Sequence, residues 1–295
     1  MRALNLGMLI AAGGLLLWLF GLGGMDLISH WAALQQRAAQ TALAAGLRAV
    51  RAGEPGAWIT LMGVCASYGF FHAAGPGHGK LLIGGYGAAA RVTALRLSTL
   101  AVISSLAQAL TAIVLVGAGA VVLGWSRARM TDTAEQVLAP ASYGAIAMVG
   151  LWLAWRGLRR VRSVRAAAPV AEDGTCHSCG HAHGPSVDQV ADLTSWRDAV
   201  VIVVSVAMRP CTGAVFLLIL CFGLGIPLAG IVGAMVMGLG TASVTVLVAI
   251  LAVGTRRSAL AGWSGSGAVR AIALIEIVAG AVIAVIATTL LAPFV

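Results

Sequence analysis

Of the 295 residues, 60% are apolar and only 10% are charged, against about 45–50% and about 25% in soluble domains. The apolar residues fall in long uninterrupted runs, which excludes a soluble globular chain and the alternating strands of a β-barrel, and the 38 glycines suit helices packed closely in lipid. The net charge of +9 comes mostly from arginines at the ends of apolar runs, so it reads as a topology signal and not as a nucleic-acid footprint.

The sequence predicts an all-α polytopic membrane helix bundle of about seven transmembrane spans, at 4–24, 57–74 (running on toward 90), 94–123, 140–157, 199–222, 227–253 and 269–291. The first span is expected to be an uncleaved N-terminal anchor over residues 1–25, because its apolar stretch exceeds a usual signal-peptide core and no A-x-A site follows. Residues 26–56 alternate Trp31, Leu34, Leu43, Leu47 and Val50 with glutamines and arginines at helical spacing. That pattern fits an amphipathic periplasmic helix lying on the membrane surface, or a solvated connecting helix.

The second span contains Phe71-His72-Ala73-Ala74-Gly75-Pro76-Gly77-His78-Gly79-Lys80. Pro76 lacks an N–H and crowds the carbonyl of His72, and glycines flank it, so a helix break is expected here. In an unbroken helix His72 and His78 would point about 120° apart. A break lets both imidazoles converge, and neutral imidazole suits nickel, cobalt, zinc and copper. Cys65 lies on the His72 face if that part is helical. Calcium and magnesium are disfavoured, because they want several oxygen ligands and only Glu276 lies deep in a span.

Arg156, Arg159, Arg160, Arg162 and Arg165 end the fourth span and open a basic loop at 158–197. Arginines are more than twice as frequent on this side as on the other, which puts the N-terminus and this loop in the cytoplasm and the C-terminus outside. The loop packs Cys176, His177, Cys179, His181 and His183 into eight residues, a candidate N/S site for a transition metal.

The fifth span carries a second break, Met208-Arg209-Pro210-Cys211-Thr212-Gly213. Arg209 needs a partner at membrane depth, and Glu276 is the expected carboxylate; exposed carbonyls or an aqueous cavity are the alternatives. The two breaks each open a group of three spans, 57–157 and 198–295, and three being odd the second group is inverted. Interrupted helices at matching places in inverted repeats mark the substrate site of a transporter. Ser104, Ser105, Gln108 and Thr111, with Thr241, Ser243 and Thr245, are candidate pathway groups or ordinary interhelical glue.

The string from His72 to Lys80 resembles the signature of the NicO family, the RcnA-type nickel/cobalt efflux transporters, and Arg209-Pro210-Cys211-Thr212-Gly213-Ala214 resembles that family's second motif. The first string is also similar to the motif of the nickel/cobalt permeases, with Gly77 where those have an aspartate, which favours the efflux branch. The resemblance implies export of nickel or cobalt across a bacterial inner membrane, driven by an ion gradient, with His72 and His78 as transport ligands and no permanent cofactor. Pro76, Gly77, Lys80, Arg209, Pro210 and Cys211 carry over as motif positions without assigned roles. Glu276 is a candidate proton carrier, and Lys80, which would repel a dication, is expected at a gate or the cytoplasmic surface. The cysteine-containing loop leaves zinc open. An importer of the same fold, a membrane thiol–disulfide relay built on Pro210-Cys211 and a non-transporting metal sensor remain alternatives. The expected partners are the lipid bilayer and the dication, with a homo-oligomer or a periplasmic helper as further expectations and nucleic acid excluded.

Overall fold

In a computed structural model the described residues are 21–75, 77–90, 92–166, 196–260 and 265–294, with positions 14, 17 and 18 before them. The helices are α1 (Gly24–Ala52), α2 (Ala57–Ala74), α3 (His78–Ala89), α4 (Ala94–Gly117), α5 (Arg127–Asp132), α6 (Ala139–Ala166), α7 (Trp196–Ala207), α8 (Thr212–Gly223), α9 (Pro227–Leu260) and α10 (Gly265–Leu291). Five stretches are long and apolar enough to cross a bilayer: α2, α4, the run Arg127–Arg162, α9 and Gly267–Phe294. The bent pair α7–α8 makes a sixth. The expected first span falls almost wholly outside the described residues, as does the Cys/His segment of the loop.

Both expected breaks are present. Helix α2 stops at Ala74 and α3 starts at His78, with Gly75 and Gly77 extended between them. Helix α7 stops at Ala207 and α8 starts at Thr212, and their axes differ by 60°. The end of α6 differs from expectation. The apolar run ends near Gly157, yet the helix continues to Ala166. Loss of hydrophobicity does not end a helix, and 158–166 holds good helix formers with no proline or glycine.

Large apolar side chains cover the outside, with Val114 58%, Leu151 60% and Val285 61% exposed, while the interior is rich in alanine, glycine and serine. This is the arrangement of a bundle whose solvent is lipid. Two cores fill it. The first gathers Leu43 and Leu47 of α1, Leu61 and Tyr68 of α2, Leu217 and Leu218 of α8, and Met237 of α9. The second gathers Leu82 and Tyr86 of α3, Ile146 and Leu153 of α6, Ile202 of α7, and Val253 of α9. Each broken helix therefore gives one half to each core, and only α4 and α9 run through both.

Helix α1 folds back along α2: Gln36 meets Tyr68, Trp31 meets Phe71, and Leu61 lies against Gly46. Its buried stripe, Ala39, Leu43 and Leu47, thus faces α2 and the first core.

Two crossings are close enough to require glycine. A Cβ on Gly69 of α2 would stand 2.1 Å from the Met237 carbonyl oxygen, and one on Gly240 of α9 would stand 2.2 Å from that of Ala66. A Cβ on Gly150 of α6 would stand 2.6 Å from the Ala284 nitrogen, and one on Gly280 of α10 would stand 2.4 Å from that of Ala154. Gly254, further along α9, has nothing within 4 Å of its would-be Cβ. Gly240→Val should therefore cost more than the about 1–3 kcal/mol of ordinary overpacking, because the obstacle is backbone. Thermal unfolding of purified protein should show a large loss for Gly240→Val and none for Gly254→Ala; equal behaviour of the two would remove the close crossing.

Candidate functional site

The level at which α2 and α7 break is the seam between the two cores. A cavity of about 170 Å³ lies there. His72 at the end of α2, Lys80 in the first turn of α3, and Arg209, Pro210 and Cys211 of the second break all line it. Ser104, Ser105 and Gln108 of α4 and Thr241 and Thr245 of α9 close its sides, and these stretches are where those helices pass from one core to the other. The breaks, far apart in sequence, thus face one space.

Each break frees carbonyls that lipid cannot satisfy. The first uses Lys80, whose ammonium curls back to donate to the Gly75 carbonyl. The second uses Gln108, whose amide donates to the carbonyls of Val206 at 3.2 Å and Arg209 at 3.3 Å. Ser142 donates to the Ser205 carbonyl at 2.5 Å. Thr241 donates to the Gly69 carbonyl at 3.2 Å, joining α9 to α2 just before the first break.

His72 stacks on Tyr68, with ring centroids 5.9 Å apart and planes 9° from parallel. Its imidazole is in hydrogen-bonding contact with the Cys211 thiol. That thiol lies at the start of α8 beside the N–H groups of Gly213 and Ala214, without forming a capping hydrogen bond. Tyr68 is fully buried, accepts from Gln36 at 3.0 Å, and is wedged against Gly213, where a Cβ would stand 2.1 Å from the ring. Glycine at 213 is what lets α8 approach the His72–Tyr68 stack.

Several expectations change. Arg209 does not meet Glu276: its guanidinium donates to the Tyr143 hydroxyl and lies over that ring at 4.9 Å. Glu276 pairs instead with Arg156 at 2.9 Å and Arg160 at 3.5 Å. The physical reason is the length of α6, which carries both arginines alongside α10, where Glu276 is 1% exposed. Lys80, in the first turn of α3, lines the cavity. Cys65 is buried beside Cys221 in the first core. Thr111 and Ser243 bond to carbonyls of their own helices and do not line the cavity.

Among the described residues no three histidine, cysteine, aspartate or glutamate side chains gather as a metal-holding group. His72 and Cys211 supply two such side chains. His78 opens α3 on the far side of the break, and its ring lies outside the described atoms. Pro76, Cys176, His177, Cys179, His181 and His183 lie outside the described residues. The role of Cys211 as a neighbour of His72 was not readable from sequence, since 139 positions of chain separate residues 72 and 211.

Cys211 is partly accessible, whereas Cys65 and Cys221 are fully buried. In a Cys176→Ser, Cys179→Ser background, a small methanethiosulfonate reagent should label Cys211 alone, and His72→Ala should alter its labelling rate. Labelling of Cys65 or Cys221 at a comparable rate, read by mass spectrometry, would contradict this placement.

Residues 58–175 match the family NicO, described as a high-affinity nickel-transport protein. A protein of Haemophilus influenzae named "Putative nickel/cobalt efflux system" is 32% identical over 204 residues, which are 63% of this chain and 62% of that relative. The chain thus matches somewhat under two thirds of the relative's length. No solved structure matches the chain. The family match covers the first break and the helices that wall the cavity on that side, and together with the named relative it makes this chain similar to the NicO-type nickel/cobalt transporters.

Proposed function

We propose that this chain is a secondary transporter that exports nickel or cobalt dications across the bacterial inner membrane, with zinc as the competing substrate. The observation that carries this reading is the shared cavity: two helices broken inside the bundle, from two distant parts of the sequence, open onto one polar space. The name of the Haemophilus relative supports both the ions and the outward direction.

The repeat reading gains support from the packing. Helix α4 packs on α9, α6 packs on α10, the first broken helix packs on α9 and the second packs on α4. Exchanging the two three-helix groups leaves that set of pairs unchanged, as an inverted repeat requires. On this reading the N-terminus is cytoplasmic and the C-terminus is periplasmic.

The metal is held by His72 and His78, on the two sides of the first break, and the Cys211 thiol beside His72 is the natural third donor. Soft sulfur and imidazole ligands select late first-row dications over calcium and magnesium. The cytoplasmic Cys176–His183 segment captures the ion before it enters. Protons release it on the far side, because a protonated imidazole cannot bind metal. Held by two guanidinium groups, Glu276 serves as a lock between α6 and α10 at one end of the bundle and not as the carrier of those protons.

Metal tolerance and accumulation in an exporter-deficient host give the direct test. Wild type should lower cell-associated nickel or cobalt several-fold, and the His72→Ala, His78→Ala double variant should lose that effect at equal expression. Increased accumulation with wild type would reverse the direction, and no change with any of nickel, cobalt or zinc would sink the transport reading.

A further inference from the structure

The cavity between the breaks is cationic. Lys80 and Arg209 both line it, and none of its described lining residues is an aspartate or glutamate. Lys80 donates to a backbone carbonyl and Arg209 to the tyrosine hydroxyl over its ring, and the carboxylate that acts on Arg209, Glu135, stands outside the cavity lining. A bare dication entering this space meets two like charges at low dielectric, where such repulsion is strong.

The helix ends point the same way. A broken helix offers a carbonyl end that favours cations and an N–H end that favours anions. Here the carbonyl ends are already used by the protein's own donors, Gly75 by Lys80 and Val206 and Arg209 by Gln108. Of the N–H ends, that of α3 follows Gly77 and has no side-chain cap, whereas that of α8 has the Cys211 thiol beside the Gly213 and Ala214 N–H groups. In addition, the Ser104 hydroxyl lines the same cavity, is 2% exposed, and has no hydrogen-bond partner.

We infer that the cavity takes its metal as a chelate with a small carboxylate anion. The metal faces the His72 and Cys211 side, and the carboxylates face Lys80, Arg209, the start of α3 and Ser104. The inference rests on the metal-transport reading above and names the substrate's form. The volume of about 170 Å³ fits it, since a water-sized occupant needs about 10–15 Å³ on this scale and roughly ten would fit. That is room for a di- or tricarboxylate or an amino-acid chelate, and far more than one dehydrated ion fills.

Equilibrium dialysis of the full-length protein in nanodiscs, with radiolabelled citrate and cobalt as probes, tests the inference. Citrate should be retained at about one equivalent when cobalt is present, and excess unlabelled citrate but not equal sulfate should displace it. Lys80→Met should weaken citrate retention by about tenfold or more, and Lys80→Arg, which restores the charge, should recover most of it. Cobalt retained without citrate, with one equivalent lost in His72→Ala, would overturn the chelate and leave the metal site standing. Retention of neither probe would overturn both, and citrate or sulfate retained equally with and without cobalt would make this an anion site and overturn the chelate.

Discussion

The constraint on which the rest depends is that lipid offers no hydrogen bonds. Any helix broken inside the bundle must find donors for the carbonyls it frees, from the protein itself or from a wet cavity. This chain breaks two helices at one level and solves the problem with Lys80 and Gln108. Both side chains must then sit at that level, and both line the cavity. The polar character of the space thus begins as a requirement of the backbone. Ser104, Ser105, Thr241 and Thr245 follow from the same need, since they stand where α4 and α9 pass the breaks. Below and above that level the same helices bury alanine, valine and methionine.

The breaks themselves were legible, because Gly-Pro-Gly and Arg-Pro-Cys state their effect on the backbone locally. The convergence of the breaks was legible too, through the matching places of two interrupted spans. What could not be read was partner choice. Arg209 had one visible carboxylate within membrane depth and took a tyrosine 66 positions away. Glu276 had one visible buried cation and took Arg156 from the end of the fourth expected span and Arg160 from a segment that looked like loop. The Arg160 pairing was hidden because hydropathy locates where apolar character ends, whereas helix α6 ends where helix-forming residues end. Nine further helical residues bring Arg160 within reach of α10. Likewise, nothing local to Gly213 announces that its missing side chain admits Tyr68, and with it the His72–Cys211 contact.

The arrangement of the cores bears on how such a molecule could open. A simple picture has the two sequence halves rocking against each other about the cavity. The glycine crossings oppose it, because they fasten α2 to α9 and α6 to α10, and each of those pairs joins one helix from each half. Backbone in contact with backbone does not slide without separating first. The seam between the two cores is where the breaks, the cavity and the small polar side chains interrupt close packing. Motion there changes the angle at each break, where α2 meets α3 and α7 meets α8, and leaves both glycine crossings intact. Helices α4 and α9 run through the seam unbroken, so they are the elements that must flex or pivot. Both parts of the sequence thus build the site, and each of the two cores beside it is itself made from both parts.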